Sequence, residues 1–250
     1  MSPASALTVL AAGAAAGAIN AVVGAGTLIT FSVLVALGVA PLTANVSNTV
    51  GLVFGSVASS FGYREELRGQ RPRVRWLGPA SLLGALTGAA LLLTLPSSAF
   101  DAIVPALILL GVVLVVLQPR LARRLQQPHE AAPTRRPLIW TGVYGAGVYG
   151  GYFGAAQGVL LIAWLGSLLD PDLQRVNALK NVLASIVNGV AALVFIAVAP
   201  VDWTIAGLLL VGAVIGGWAG GRWGRLLPEA VLRAVIVVVG LVAVGILVAG

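Results

Sequence analysis

Residues 138–169 read LIWTGVYGAGVYGGYFGAAQGVLLIAWLGSLL, and their length and composition indicate the class of fold. Its 32 residues include no charged side chain, which is typical of a segment buried in a bilayer. As one continuous helix it would measure about 48 Å, whereas the hydrocarbon core is only about 30 Å thick. The stretch is too long for one crossing, and the glycine-rich run from Tyr149 to Gly158 predicts a break in its helix.

The whole chain has the composition of an integral membrane protein. Its 250 residues are 59% hydrophobic and 9% charged, against roughly 25% charged residues in a soluble domain. Segment 6–37 repeats the pattern of the first stretch, with 32 residues and a break at 23–27. The other segments have about 20 residues, enough for one crossing each: 44–63, 76–94, 99–117, 175–197, 203–221 and 229–249. Glycines elsewhere in these segments are interpreted as helix-packing positions: Gly84, Gly88, Gly212 and Gly216.

The two long segments belong to an internal repeat with a constant offset of 132 residues. Gly26 falls on Gly158 under this shift, and the polar Asn45 falls on Asn177. The sequence therefore predicts two transmembrane repeats, 1–117 and 138–250, joined by a basic, Pro-rich linker at 118–137. The lone histidine, His129, lies in this linker and is interpreted as solvated.

Arginine distribution predicts the orientation of the repeats. Loop 64–75 and the linker carry five arginines each, so the positive-inside rule places both in the cytoplasm. Loop 222–228 carries two arginines and loop 198–202 none, so the first is predicted inside and the second outside. Segment 175–197 supplies one crossing between the linker, inside, and loop 198–202, outside. Segment 138–169 must then cross an even number of times, either as a re-entrant hairpin or as two short spans, and the same count applies to segment 6–37. We predict an all-α integral membrane protein of two inverted-topology repeats, each an interrupted segment plus three membrane-spanning helices, which is a transporter architecture.

Polar residues recur at one register of the two repeats and predict a binding site. Such residues are costly in hydrocarbon and usually face a cavity or a partner, and helix N-termini at the two breaks would attract an anion. Two alternatives stay open: the asparagines bond between helices, or Lys180, the only lysine, snorkels to the headgroups. The predicted substrate-binding residues are Gly24, Gly26, Thr27, Asn45, Asn48, Thr49, Tyr152, Gln157, Gly158, Asn177, Lys180 and Asn181.

Other classes of function find little support in the sequence. The chain has no cysteine, and no set of catalytic or metal-binding side chains can be recognised, so we expect no enzyme activity, metal or cofactor. Acidic residues are predicted only at segment ends and in loops, which argues against an intramembrane carboxylate relay. The expected partners are a small anion and the lipid bilayer rather than nucleic acid, and the sequence leaves a homodimer open.

Two stretches carry a resemblance to a known family. They are GAGTLITFSVLVALGVAPLTANVSNTVGLVFGSVASSFGYREEL at 24–67 and GVYGGYFGAAQGVLLIAWLGSLLDPDLQRVNALKNVLASIVNGVAALVF at 147–195. A glycine-rich break, an apolar run, a short loop and an Asn-bearing helix follow each other in both, as in the sulfite exporter TauE/SafE family, which the chain resembles. The first break departs from the family's fuller glycine run by having Ala25 between two glycines.

The resemblance implies a multi-pass protein of the bacterial plasma membrane that exports sulfite, a sulfonate or a related sulfur anion. Two other functions stay open at this point. One is import of thiosulfate-like or other small anions, and the other is a membrane scaffold or assembly factor without transport. The sequence identifies neither the anion nor the coupling.

Overall fold

The computed structural model describes residues 1–125, 136–170, 172–223 and 229–249, and these residues form helices joined by short turns. The predicted all-α class is therefore confirmed over the described chain, which contains no strand. Its helices are α1 (Pro3–Val22), α2 (Gly26–Ala36), α3 (Pro41–Gly62), α4 (Arg71–Thr94), α5 (Ser97–Leu125), α6 (Arg136–Tyr152), α7 (Gln157–Leu168), α8 (Leu173–Val198), α9 (Trp203–Trp223) and α10 (Glu229–Ala249).

Six of the described helices are long and apolar enough to cross a membrane, namely α1, α4, α5, α8, α9 and α10. The protein is thus a multi-pass membrane protein, as predicted. Helices α2 and α7 have only 11 and 12 residues, too few to span about 30 Å. Helix α3 has 22 residues, enough in length, but it falls outside the six because asparagine, threonine and serine lower its hydropathy.

Both predicted helix breaks are present. Helix α1 ends at Val22 and α2 begins at Gly26, while α6 ends at Tyr152 and α7 begins at Gln157. The turns use left-handed backbone, with φ of 82° at Gly24, 77° at Gly154 and 61° at Ala156. Glycine adopts this conformation without steric cost, which explains its position in both breaks.

The second interrupted segment enters and leaves at the same end of the molecule. At its start, the Arg136 guanidinium lies 5.9 Å from the ring centroid of Trp76. At its end, Asp170 pairs with Arg73 at 2.5 Å. Since Arg73 and Trp76 both lie near the start of α4, the segment returns to the side from which it came. This agrees with an even number of crossings, whereas the inverted orientation of the two halves stays a prediction.

The two halves of the chain pack into each other. Helix α1 packs on α9 and α6 on α4; α2 contacts α10 and α7 contacts α5. Each of these pairs joins one helix from each half, and the 132-residue shift converts α1–α9 into α6–α4.

Glycine allows the closest of these approaches. A Cβ atom on Gly216 would lie 1.8 Å from the carbonyl oxygen of Ala14, and one on Gly88 would lie 2.1 Å from that of Val148. Gly84 and Gly212 are equally crowded by backbone of the facing helix. The packing role predicted for these glycines is therefore confirmed, since only small residues bring membrane helices so close.

The predicted linker is partly helical at both ends. Helix α5 continues to Leu125, and α6 begins at Arg136. Both helices therefore extend into the range 118–137. Residues 126–135, including His129, lie outside the described residues, as do 224–228 with Arg225.

An ion cluster fixes the turn between α7 and α8 to the start of α4. The carboxylate of Asp170 accepts hydrogen bonds from Arg73 at 2.5 Å and from Arg175 at 3.2 Å, and its side chain is only 11% exposed. Burial alone would raise the pKa of Asp170, but the bonds from Arg73, the Asp172 N–H and Arg175 outweigh it, so the pKa lies below its ordinary value. The Gln70 amide adds a bond to the Arg175 carbonyl at 2.9 Å.

Replacing Asp170 by Asn should lower stability in a pH-dependent way. A depressed pKa in the folded state contributes stability that is complete above the ordinary pKa of about 3.9 and is lost as the pH falls through the folded value. At pH 7 the Asn variant should be less stable by about 1 kcal/mol, because the pair is partly screened by solvent. Thermal unfolding at pH 7 and near pH 3 should show this difference shrinking on acidification. Asp101→Asn, an exposed change on α5, should cause no such difference, and a pH-independent loss would contradict the assignment.

Single cysteines introduced into this cysteine-free chain should report its orientation. Cysteines at both chain ends and at 200 should react with a membrane-impermeant maleimide from outside, because the positive-inside rule places loop 64–75 in the cytoplasm. A cysteine at 69 should react only after the membrane is opened. Labelling of both ends only from the cytoplasm would contradict the inverted arrangement.

Candidate functional site

The two helix breaks meet inside the molecule, backbone against backbone. The Gly158 N–H donates to the Gly24 carbonyl oxygen at 3.1 Å. A Cβ atom on Gly24 would lie 2.5 Å from the Cα of Gly158, and one on Gly158 would lie 2.5 Å from the Cα of Gly24. The two tips can therefore touch only because neither residue has a side chain.

Lys180 caps the end of α1 at this junction. Its ammonium group donates to the carbonyl oxygens of Asn20 at 2.9 Å and Ala21 at 3.2 Å, and the Asn181 amide donates to Ala21 at 3.4 Å. These carbonyls belong to the last turn of α1, where no further helix residue can satisfy them. Lys180 is only 1% exposed, so the interpretation that it snorkels to the headgroups is wrong.

Asn45 performs the corresponding task for the other break. Its amide donates at 3.0 Å to the carbonyl oxygen of Tyr152, the last residue of α6. Tyr152 is the repeat mate of Asn20 under the 132-residue shift. In both breaks, a polar side chain of the helix that follows one interrupted segment therefore caps the other interrupted segment.

A small cavity lies beside the touching tips. Its volume is about 20 Å³ measured at the centres of water-sized molecules, which is room for one or two waters. Six of the twelve predicted site residues line it, namely Gly24, Thr27, Gln157, Gly158, Lys180 and Asn181. The structure thus brings together residues from both breaks and from α8.

The other six predicted residues do not line this cavity. Gly26 is a packing position, because a Cβ atom there would lie 2.2 Å from the Ala16 carbonyl oxygen, and its N–H donates to the Asn20 side chain at 2.7 Å. Asn45 caps α6 and Thr49 bonds the Asn45 carbonyl. The remaining three hold buried oxygen atoms without a partner among the described residues: Asn48, Tyr152 and Asn177.

Polar residues that the sequence did not single out complete the lining. They are Asn20, Ser56, Ser59 and Asn188. Two small residues without polar side chains, Gly154 and Ala184, also line the cavity. The Asn188 amide donates to the Ser56 hydroxyl at 3.1 Å. Ser56 and Asn188 are separated by 132 residues, so a search for polar residues at the repeat offset would have found this pair.

The hydrogen-bond donors around the cavity favour a negative ligand. No described Asp or Glu lines it, and Lys180 forms no ion pair with a described carboxylate. Thr27 is only half-buried, and no described group bonds its hydroxyl. The expectation that the helix N-termini at the two breaks attract an anion through free N–H groups is wrong for α7, whose Gln157, Gly158 and Val159 N–H groups are already bonded to carbonyls. In α2 the Gly26 and Leu28 N–H groups are bonded as well.

Comparison with known proteins gives matches over nearly the whole chain. A family model described as "Sulfite exporter TauE/SafE" matches residues 9–247. The "Probable membrane transporter protein YfcA" of Escherichia coli strain K12 is 24% identical over 231 residues, or 91% of this chain and 83% of that protein. The "Probable membrane transporter protein ORF9" of Sinorhizobium sp is 25% identical over 235 residues, or 90% and 85%. No solved structure matches the chain.

Adding a methyl group at either touching glycine should destabilise the junction. Gly24→Ala would force a Cβ atom into the Gly158 backbone and keep a left-handed φ that costs alanine roughly 1–2 kcal/mol. Gly158→Ala would meet the same clash from the other side. Thermal unfolding in detergent should show a lower midpoint for both variants.

Gly189→Ala is the matched control, because a Cβ atom there would meet nothing within 4 Å inside helix α8. It should be neutral or slightly stabilising, since alanine favours helix more than glycine does. Equal unfolding midpoints for all three variants would show that the tips do not require glycine.

Proposed function

The chain belongs to the sulfite exporter TauE/SafE family, and from that premise we propose that it exports sulfite, a sulfonate or a related sulfur oxyanion across the bacterial plasma membrane. Its relatives carry the names of membrane transporters, and it is a membrane transporter by family. The observation that carries the anion proposal is a buried lysine, Lys180, beside a cavity at the junction of two interrupted helices.

The charge of Lys180 supports an anionic substrate. Burying an ammonium group costs several kcal/mol, and the carbonyls of Asn20 and Ala21 offset only part of that cost. An ammonium group has three N–H donors, and these two carbonyls use two of them. An anion in the cavity would accept the third and would neutralise the charge.

The other groups of the lining extend this site. Thr27 follows the first residue of α2, where the helix dipole favours negative charge, although the Gly26 and Leu28 N–H groups are already bonded. Its hydroxyl can donate to the same anion. The cavity, about 20 Å³, must widen to admit even a compact oxyanion such as sulfite, and a longer organosulfonate would need still more room.

The two sides of the cavity differ in the polarity of their side chains. Towards the predicted outer face, buried aromatic rings pack together, with ring centroids of Phe31 and Phe153 at 5.0 Å and of Phe100 and Phe153 at 6.1 Å. Towards the predicted cytoplasmic face, the lining consists of the small polar residues Ser56 and Ser59. The proposed direction, from the cytoplasm outward, rests on the family of exporters to which the chain belongs. An inside-negative potential would then favour exit of the anion by about 2.3 kcal/mol per charge per 100 mV.

Ligand-dependent stability separates this proposal from its alternatives. Purified protein would be heated with sulfite, sulfoacetate, taurine, thiosulfate, sulfate or chloride. A ligand that binds only the folded state adds about 2.7 kcal/mol at 100 times its dissociation constant, so sulfite should raise the unfolding midpoint most. A larger effect of thiosulfate would favour the importer, and no effect of any anion would favour the scaffold.

Two substitutions test the site itself. Lys180→Gln removes the charge, and Thr27→Val removes a hydroxyl with almost no change in shape. Each should weaken the apparent sulfite affinity roughly 5–30-fold, which corresponds to about 1–2 kcal/mol for a lost hydrogen bond to a charged group. Lys180→Arg should also be harmful, because the planar guanidinium presents a different geometry. Sulfite flux into proteoliposomes at a clamped potential gives the affinity.

Thr94→Val is the control for the hydroxyl, since Thr94 is exposed and bonds only its own helix. Lys180→Gln also weakens the cap on α1, so Thr27→Val keeps the test valid if the first variant folds poorly. Wild-type flux and affinity in both variants would remove Lys180 and Thr27 from the site.

A further inference from the structure

Four arginines surround a wide cavity where α3 ends and α4 begins. The cavity has a volume of about 730 Å³, and its lining consists of Arg64, Leu67, Arg68, Gly69, Arg71, Val74, Arg75 and Val182. All four arginines are exposed, and none forms an ion pair with a described carboxylate. Arg73, in the same stretch, differs because it pairs with Asp170. This cavity, the arginine cavity below, thus has four positive charges and no carboxylate among the described residues of its lining.

The carboxylates that follow Arg64 in the chain line a different cavity. Glu65 and Glu66 line a cavity of about 290 Å³ with Arg64, Trp218 and Arg222. They follow Arg64 in the chain but do not line the arginine cavity. No carboxylate among the described lining residues therefore balances the charge of the four arginines.

An apolar groove continues directly from the arginine cavity along α3 and α8. The groove has a volume of about 440 Å³ and is lined by Val57, Ser60, Phe61, Arg64, Leu67, Val182, Ser185 and Ile186. It shares Arg64, Leu67 and Val182 with the arginine cavity. Phe61 is 68% exposed beside it. The arginine cavity is thus continuous with an apolar groove on the lipid-facing surface.

We propose that the arginine cavity and this groove together bind one anionic phospholipid. Guanidinium groups recognise phosphate through paired hydrogen bonds, so the headgroup lies among the arginines. An acyl chain fills the groove along Val57, Phe61 and Ile186, which a free phosphate ion would leave empty. The positive-inside rule places this face in the cytoplasm, where anionic headgroups attract basic residues at the ends of membrane helices.

This lipid would touch the helices that form the central cavity. The groove lies on one side of the α3–α8 contact, where the Ser60 and Ser185 hydroxyl oxygens are 3.4 Å apart. The central cavity, which is the small cavity beside Gly24 and Gly158, is lined by Ser56, Ser59 and Ala184 of the same two helices. The lipid site does not depend on which anion is transported, and its test uses no transport assay.

Native mass spectrometry of the purified full chain tests the site. The protein would be titrated with phosphatidylglycerol and with phosphatidylcholine of identical acyl chains. Wild type should retain one phosphatidylglycerol and lose phosphatidylcholine. The double variant R68Q/R71Q should bind phosphatidylglycerol about 25-fold more weakly, from roughly fivefold for each arginine. V182W should also lose the lipid, because it fills the groove without changing the charge.

R120Q/R136Q is the matched control, because it removes two exposed arginines from the same predicted face and should leave lipid retention unchanged. Equal loss in both double variants would overturn the site in favour of general charge attraction. Equal retention of phosphatidylcholine would overturn the headgroup assignment. Displacement of the lipid by millimolar inorganic phosphate would show that a soluble anion is the ligand and would overturn the proposal.

Discussion

Interrupting a helix inside a bilayer frees carbonyl and N–H groups that lipid cannot satisfy, and the rest of this structure is arranged around them. Each unsatisfied group would cost several kcal/mol in hydrocarbon, so irregular backbone survives there only where protein covers it. Here the carbonyls of Asn20, Ala21 and Tyr152 are covered by Lys180, Asn181 and Asn45, and the Gly158 N–H bonds the Gly24 carbonyl. Three buried polar side chains, those of Asn45, Lys180 and Asn181, thus complete these two breaks.

This constraint couples the two halves of the protein. The caps cross from one half to the other, and so do the contacts of α1 with α9 and of α6 with α4. Neither interrupted segment could be stable in lipid with its own half alone, because the groups that satisfy its backbone lie in the other half. A lysine used as a cap also brings a full charge beside the cavity. The same residue can therefore stabilise a break with two of its N–H donors and attract an anion with the third.

Much of the fold follows from the sequence because lipid imposes simple rules. Span length, the absence of charge and the 132-residue repeat predicted the helices, and the glycine runs predicted both breaks within a few residues. The helix that carries the polar residues, α3, shows where such rules weaken, because burial by protein rather than lipid lets it keep Asn45, Asn48 and Ser56. Hydropathy alone does not identify it as a span.

For the candidate site, the sequence and the structure supplied different information. The sequence determined which polar residues are unusual in a membrane, because their cost there is independent of their neighbours. Only the tertiary structure decided which of them share a cavity: Lys180 with Thr27 and Gln157, but not Asn45 or Gly26. It also decided that the N–H groups of α7 are already bonded. The physical reason is that a carbonyl or an N–H accepts whichever partner packing brings within about 3 Å, and that distance is set by helices far apart in the chain.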